Sequence, residues 1–240
     1  IKDSLTKLVL DYEVTQRKIY FLKNSYMVEF AKLLEEKLYL EYENKYMVEA
    51  ISKKDEIDSI ETLLEENKKS FETILNSFHK EIEAAKDLER RCRNYDIKDM
   101  ENLDQEFMDF CIQHHPVLKG RSSMNERSAF SSLCMVYRMG NIAGFRNLLN
   151  ETKELFTLTT INEEEYEPVA KLYQDSYRNL TSLMAKQKSE FPLNRENLFQ
   201  SSEEITKEYG LLRQSNYDLR QMNKAIHKDF TSHFNIDFTL

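Results

Sequence analysis

The sequence predicts an all-α protein made of long helices, and three observations indicate this fold class. Its 240 residues include only 4 Gly and 3 Pro, the residues that most often mark turns, and neither occurs before Pro116. Apolar residues recur at steps of three and four over long stretches, which is the period of an amphipathic helix. Charged residues make up 32% of the chain and hydrophobic residues 40%, a balance typical of long helices and coiled coils.

Residues 1–94 are predicted to form an antiparallel hairpin of two long helices. One apolar stripe covers residues 5–51, and a second begins at Ile57. Asp55 lies in the polar break between them and can cap the second helix. Asn67 falls on the second stripe, where a buried asparagine would fix the register of the hairpin. Because the two helices are of comparable length and the link is short, an antiparallel coiled coil is the simplest packing.

Residues 95–156 are predicted to form a cluster of shorter helices. Two stretches have the spacing of a capping box, in which a side chain before the helix and another three residues later satisfy free backbone N–H groups. A proline ends the first helix, because it disfavours helical backbone in the residue before it. A glycine suits the left-handed turn after the second helix, and an asparagine can cap the third. The two capping-box stretches begin at Asn102 and Ser123. The proline is Pro116, the glycine is Gly140 and the asparagine is Asn141.

Residues 157–240 are predicted to contain a pair of long helices. A polar, Thr-rich link leads into the first, which covers residues 163–188. Phe191 and Pro192 break the pattern, and the last helix covers residues 202–230. The chain is thus predicted to have three parts: a hairpin, a helix cluster and a long helix pair.

Charge and composition argue against several function classes. The formal net charge is -8 and the isoelectric point about 5.3, which argues against binding of nucleic acid or of a membrane surface through a basic face. No apolar run approaches the roughly 18 residues needed to cross a membrane, and no signal peptide is visible. Three scattered cysteines without a CxxC motif are typical of reduced thiols, so we expect a cytoplasmic protein.

The first helix is unusually rich in aromatic residues, and two interpretations are open. The aromatic side chains either fill a wide core, where the C-terminal helices pack back on the hairpin, or form an exposed patch for a partner. The residues concerned are Tyr12, Tyr20, Phe21, Tyr26, Phe30, Tyr39, Tyr42 and Tyr46.

Residues 114–118 read His-His-Pro-Val-Leu, and this break in the helical pattern is the main candidate site. One interpretation makes His115 a surface residue at a helix end, where the helix dipole favours an imidazolium. Another is a metal site, because Cys111 and His115 share a helix face and His114 is adjacent. Structural zinc needs further ligands, and a Cys-His nucleophile needs an orienting group and an oxyanion hole. We therefore predict no enzyme activity, no cofactor and no metal.

A third interpretation comes from a resemblance to the J-domain, the Hsp70-binding module of DnaJ-type co-chaperones. A helix ending in His-Pro is followed by a polar loop and a second helix whose apolar residues face back. The match covers residues 107–118 and 126–149, and the His-Pro-Asp motif of the family corresponds to His115, Pro116 and Val117. The ordered set of His-Pro, Tyr-Arg-x-Gly-Asn and Phe-Pro is similar to bacterial proteins in which a J-like helix pair lies between coiled-coil arms.

The resemblance implies a J-like hairpin with His115, Pro116 and Val117 as partner-facing residues, but two features depart from the family. The motif aspartate is implicated in triggering ATP hydrolysis by Hsp70, and valine has no carboxylate to accept a charged hydrogen bond. In the family, the helix before the motif is basic and docks on an acidic surface of Hsp70. In this chain the corresponding helix is acidic, and its charge would oppose that docking. The acidic residues of this helix are Asp104, Glu106 and Asp109.

From these observations we predict a non-catalytic, cytoplasmic interaction or scaffold protein that works through coiled-coil and helix-face contacts with protein partners. One alternative is an Hsp70 co-chaperone with an altered His-Pro-Asp motif. The other is a metal-binding protein that uses Cys111, His114 and His115. Helix faces of this kind would also permit a homo-oligomer, whereas nucleic acid and membranes are not expected partners.

Overall fold

The computed structural model describes residues 1–55, 59–157, 165–238 and 240. In this part of the chain it contains eight α-helices, a few single 3₁₀ turns and no strand, so the predicted all-α class is confirmed. The helices are α1 (Lys2–Ser52), α2 (Ile60–Arg93), α3 (Ile97–His114), α4 (Pro116–Lys119), α5 (Met124–Arg138), α6 (Ile142–Thr152), α7 (Tyr166–Ser189) and α8 (Ser202–Phe234).

Several predicted helix signals are confirmed by the local geometry. Ser123 Oγ accepts from the Glu126 N–H (3.1 Å), and Glu126 Oε2 accepts from the Ser123 N–H (2.8 Å), which completes the capping box of α5. Gly140 has a φ of +60°, a conformation that glycine adopts at little cost. Asn141 Oδ1 then accepts from the Gly144 N–H (2.9 Å) and caps α6.

Two predicted helix starts are wrong. α3 begins at Ile97 rather than after Asn102, because Asp96 and Asp99 form the capping box there. The start of α2 is capped by Ser59, whose Oγ accepts from the Thr62 N–H (3.3 Å), and not by Asp55. Three predicted features lie outside the described residues: the stripe residue Ile57, residues 158–162 of the polar link, and the first two residues of the predicted helix 163–188.

The chain forms two compact units. Unit 1 is Ile1–Asn24 with Asp87–Glu196, and unit 2 is Ser25–Lys86 with Asn197–Leu240. The long helices α1 and α2 contribute residues to both units, so neither unit equals one of the three predicted parts. α7 belongs to unit 1 and α8 to unit 2.

In unit 2, α1 and α2 pack antiparallel, as the hairpin prediction requires for these segments. Glu35 of α1 contacts His79 of α2 (2.9 Å), whereas further along α1 the ring of Tyr42 contacts Phe71 (5.6 Å between centroids). Residue numbers therefore rise along one helix as they fall along the other. Phe71 is buried in a cluster with the C-terminal end of α8.

Helix α8 runs parallel to α1 in unit 2, and two buried asparagines join them at heptad spacing. Asn216 donates to the backbone oxygen of Leu33 (3.0 Å) and to Glu36 (3.1 Å). One heptad later the same pattern recurs, because Asn223 donates to the corresponding backbone oxygen (2.8 Å) and carboxylate (2.9 Å), those of Leu40 and Glu43. The buried register-fixing asparagines are therefore on α8, and Asn67, which is half-buried, is not one of them.

The aromatic residues of α1 lie mostly in cores rather than in one exposed patch. Phe30 and Tyr46 are buried in unit 2, and the others named above are half-buried except Tyr39, which is 38% exposed. Phe30 packs with Leu198 and Leu212, so α8 and the turn before it supply the extra covering surface. This packing supports the wide-core interpretation.

We expect leucine at the two asparagine positions to stabilise unit 2. The Oδ1 atoms of Asn216 and Asn223 are buried without a hydrogen bond, and each unmet buried polar group costs about 1–3 kcal/mol. Asn216→Leu and Asn223→Leu should each raise the free energy of unfolding by about 1 kcal/mol in urea denaturation, since a polar residue at such a seam sets register at a cost in stability. Gln221→Leu, at an exposed position of α8, is the matched control. A loss of stability in both asparagine variants would show that the hydrogen bonds to α1 are net stabilising.

In unit 1, helices α3, α5 and α6 enclose the main core, and Leu10 of α1, Tyr95 and Phe156 pack against it. The core side chains include Leu103, Phe107, Leu133, Tyr137 and Phe145, all at most 1% exposed. A second cluster joins the start of α1 to α4 and α7, through Leu5, Val9, Leu118 and Tyr173. These contacts place the His-Pro turn between α1 and α7.

Candidate functional site

The predicted site residues lie in a turn that is folded inward. His115 ends α3 and caps α4, because its Nδ1 accepts from the Val117 N–H (3.2 Å). His115 is 9% exposed and its ring edge contacts Phe130 (4.9 Å between centroids), so the interpretation of a surface histidine is wrong. Pro116 begins α4 as the first helical residue, a position where its missing N–H is not needed.

Val117 packs on an apolar cluster of unit 1. It is half-buried against the cluster of Leu5, Val9 and Tyr173. Tyr173 also donates its hydroxyl to the backbone oxygen of Leu118 (2.6 Å), and this bond fixes α7 to the turn. An aspartate at position 117 would therefore place a carboxylate beside an apolar cluster.

The imidazole of His115 is covered by a glutamate of α1. Glu13 is 4% exposed, its Oε1 lies 3.7 Å from His115 Nε2, and its Oε2 accepts from Arg138 (3.0 Å). Burial acts to raise the pKa of the Glu13 carboxyl, but the nearby His115 imidazole and the hydrogen-bonded, charged Arg138 outweigh it, and the pKa is lowered. Glu13 is therefore a buried carboxylate held by two partners from α3 and α5.

A second charge contact joins α1 to α3 one turn further along; Arg17 is buried, whereas the Asp104 side chain is 40% exposed. Arg17 pairs with Asp104 of α3, and its guanidinium lies over the ring of Tyr137 (4.9 Å to the centroid). The Tyr137 hydroxyl donates to the same Asp104 oxygen (3.0 Å), and its ring stacks on Phe107 (3.7 Å between centroids). Burial, then the Asp104 charge, raise the pKa of the phenol, so it remains protonated.

Two of the three acidic residues predicted to oppose Hsp70 have internal partners. Asp104 is bound by Arg17 and Tyr137, and Glu106 accepts two bonds from Arg146 of α6 (3.0 and 2.5 Å). Asp109 accepts only a neutral donor, Gln105 of the same helix (2.9 Å), among the bonds the structure describes. Two carboxylates of α3 therefore bind arginines of α1 and α6.

The loop after the turn is closed by a buried ion pair. Lys119 Nζ donates to Glu126 Oε1 (2.5 Å), and the two side chains are 4% and 9% exposed. The same ammonium donates to the backbone oxygen of Thr157 (2.6 Å). The bond from Lys119, with further bonds from the backbone of Ser123 and Thr157, lowers the pKa of Glu126 to about 2.

The residues proposed for a metal site do not converge. Cys111 is buried in the core, where burial and then the charge of Cys134 raise the pKa of its thiol. The His114 ring contacts Phe110 and Phe156, with centroids at 5.1 and 5.3 Å, whereas His115 turns towards Glu13. Among the residues that the structure describes, no group of three His, Cys, Asp or Glu side chains could hold a metal ion. The raised thiol pKa also disfavours a cysteine nucleophile.

Sequence patterns did not reveal Glu13 and Arg17 as members of this site. Both lie on the first apolar helix, about 90 or more residues from their partners in α3, α4 and α5. One feature of the sequence could have indicated their role. Glu13 and Arg17 lie four residues apart, so both are on one face of the helix, with apolar residues on either side. Comparisons of the chain with protein families, curated proteins and solved structures found no match. None of the described helices has the length and apolar character needed to cross a membrane.

Proposed function

We propose that this chain is a non-catalytic helical interaction protein in which the J-like hairpin is a structural element. The observation that carries this proposal is the burial of His115 under Glu13, with Val117 packed against α1 and α7. A residue that triggers a partner enzyme has to reach that partner, and these side chains are already bound within unit 1. The raised pKa values of Cys111 and Cys134 support the absence of nucleophilic chemistry.

An exposed surface of unit 2 supports an interaction role. Leu211 and Met222 are 54% and 47% exposed and share one face of α8 with Leu219. The polar residues around them are Gln214, Ser215 and Asp218. Apolar side chains surrounded by polar ones are typical of surfaces that bind a partner helix. Protein partners and a cytoplasmic location remain part of this proposal.

The test is single-turnover ATP hydrolysis by an Hsp70 in the presence of the unmodified protein, of Val117→Asp and of the uncharged control Val117→Asn. We expect no acceleration by any of the three, because His115 is buried under Glu13 and cannot reach a partner. A J-domain co-chaperone serves as the positive control, and circular dichroism verifies that each variant is helical. Acceleration by the unmodified protein would contradict the proposal and establish a co-chaperone. Acceleration by Val117→Asp alone would show that the turn still reaches Hsp70, and would also contradict it.

A further inference from the structure

Two residues that follow the 3₁₀ turn after α6 contact the end of α3 and the start of α5, where the chain connects these two helices. We call Phe156 and Thr157 the strap. The backbone of Phe156 is extended, with φ -92° and ψ 103°, after a single 3₁₀ turn at Lys153–Leu155. The Phe156 ring contacts Phe110 edge to face (4.9 Å between centroids) and also the imidazole of His114 (5.3 Å). Phe156 therefore completes a cluster of three mutually contacting rings with Phe110 and His114 of α3.

The main chain of the strap is bound on both sides by one ion pair. Lys119 donates to the carbonyl oxygen of Thr157 (2.6 Å), and Glu126 Oε1 accepts from the Thr157 N–H (3.3 Å). Lys119 and Glu126 also bind each other (2.5 Å) and are almost fully buried. The pair thus satisfies the backbone donor and acceptor of Thr157, and the Thr157 hydroxyl adds a longer bond to Glu126 Oε1 (3.5 Å).

This combination is the chemistry of peptide recognition. Peptide-binding sites hold extended main chain through hydrogen bonds and take selected side chains into apolar pockets. A buried ion pair is also costly unless further hydrogen bonds satisfy its remaining donors and lone pairs, and here the strap supplies them. Any extended segment with an aromatic residue followed by a residue with a free N–H could make the same contacts.

We propose that Phe110, His114, Lys119 and Glu126 form a peptide-binding site that the strap occupies, and that accepts an aromatic-containing partner peptide when the strap is released. The inference rests on the proposed interaction role and names a partner class for the hairpin. Because the strap belongs to the same chain, its effective concentration at the site is high, and a free peptide competes with it poorly. With the strap in place, the chain therefore blocks its own peptide-binding site.

The experiment measures binding of a fluorescent peptide with the sequence of residues 153–157, blocked at both ends, by fluorescence anisotropy. Phe156→Ala removes the anchor of the strap and leaves the four site residues in place. We expect this variant to bind the peptide about tenfold or more tightly than the wild-type chain, because the internal competitor is weakened. Leu155→Ala, at an exposed neighbouring position, is the matched control and should behave as wild type.

Three further comparisons decide the result. A peptide with alanine in place of phenylalanine should not bind Phe156→Ala, and adding Lys119→Met to that variant should abolish binding. Equal affinity of Phe156→Ala and wild type, or binding that survives Lys119→Met, would refute the site. If Phe156→Ala loses its helical circular dichroism, Phe156→Leu replaces it, and equal binding by that variant and wild type refutes the site equally. If Phe156→Ala does not bind the peptide more tightly than wild type and the protein does not stimulate Hsp70, the peptide-binding site is refuted. The proposed function as a non-catalytic interaction protein is then not affected.

Discussion

Replacing Tyr137 by alanine is expected to reduce the free energy of unfolding of unit 1 by about 3–5 kcal/mol, the usual cost of removing a buried aromatic side chain. Tyr137 is fully buried, and its ring is stacked between Phe107 and the Arg17 guanidinium. The substitution also removes the hydroxyl bond to Asp104. It therefore weakens the core and the contact of α1 with α3 in one step.

Two further variants separate the contributions of ring and hydroxyl. Tyr137→Phe keeps the ring and should cost only about 1 kcal/mol, because Asp104 retains its bond to Arg17. Tyr177→Ala, at an exposed position of α7 in the same unit, should change stability by no more than about 0.5 kcal/mol.

The measurement has to resolve unit 1 from unit 2. Urea denaturation followed by circular dichroism gives the overall transition, and hydrogen exchange of α5 amides reports on unit 1, since a protein with two units need not unfold in a single step. If Tyr137→Ala were no more destabilising than Tyr177→Ala, the stacked core described above would not contribute to the stability of unit 1.

Local signals in the sequence predicted most of the helices, because they depend on residues that are close in the chain. The capping box of Ser123, the glycine turn at Gly140 and the cap at Asn141 each need only three or four consecutive residues. The start of α3 was missed because its box is formed by two aspartates, Asp96 and Asp99, instead of the usual Ser or Thr with Glu or Gln. The error therefore concerns side-chain chemistry and not the presence of the helix.

The packing of the His-Pro turn could not be predicted from the same signals. The sequence indicated that His115 lies at a helix end, which is correct, but exposure depends on which distant element covers that end. The covering residue, Glu13, is 102 positions away along the chain. A charged residue on an amphipathic helix is more often exposed than buried, so its burial requires knowledge of the tertiary contact. The same reasoning applies to Asn216, whose partners on α1 are 180 or more residues away.

Replacing Glu13 by glutamine is expected to destabilise unit 1 by about 2 kcal/mol at neutral pH, the scale of a hydrogen bond to a charged group. Glutamine has nearly the same shape but no charge, and it leaves Arg138 and His115 without their common carboxylate. Glu49→Gln is the matched control on α1. Its carboxylate is also paired, with Lys53 at 2.6 Å, but the pair is exposed, so we expect a change below about 0.5 kcal/mol.

If the charge of Glu13 stabilises unit 1, the stability difference between wild type and Glu13→Gln should depend on pH, whereas a purely steric effect would not. The folded-state pKa of Glu13 is lower than the ordinary value of 4.5. The contribution of the charge to stability is therefore fully present above pH 4.5 and is lost as the pH falls through the folded-state pKa. Urea denaturation of wild type and Glu13→Gln between pH 7 and pH 3 should show a stability difference that decreases towards acid pH. A stability difference that stays constant over this range would mean that Glu13 acts through shape and hydrogen bonding alone. The negative charge of Glu13 would then not contribute to the packing of α1 against α3 and α5.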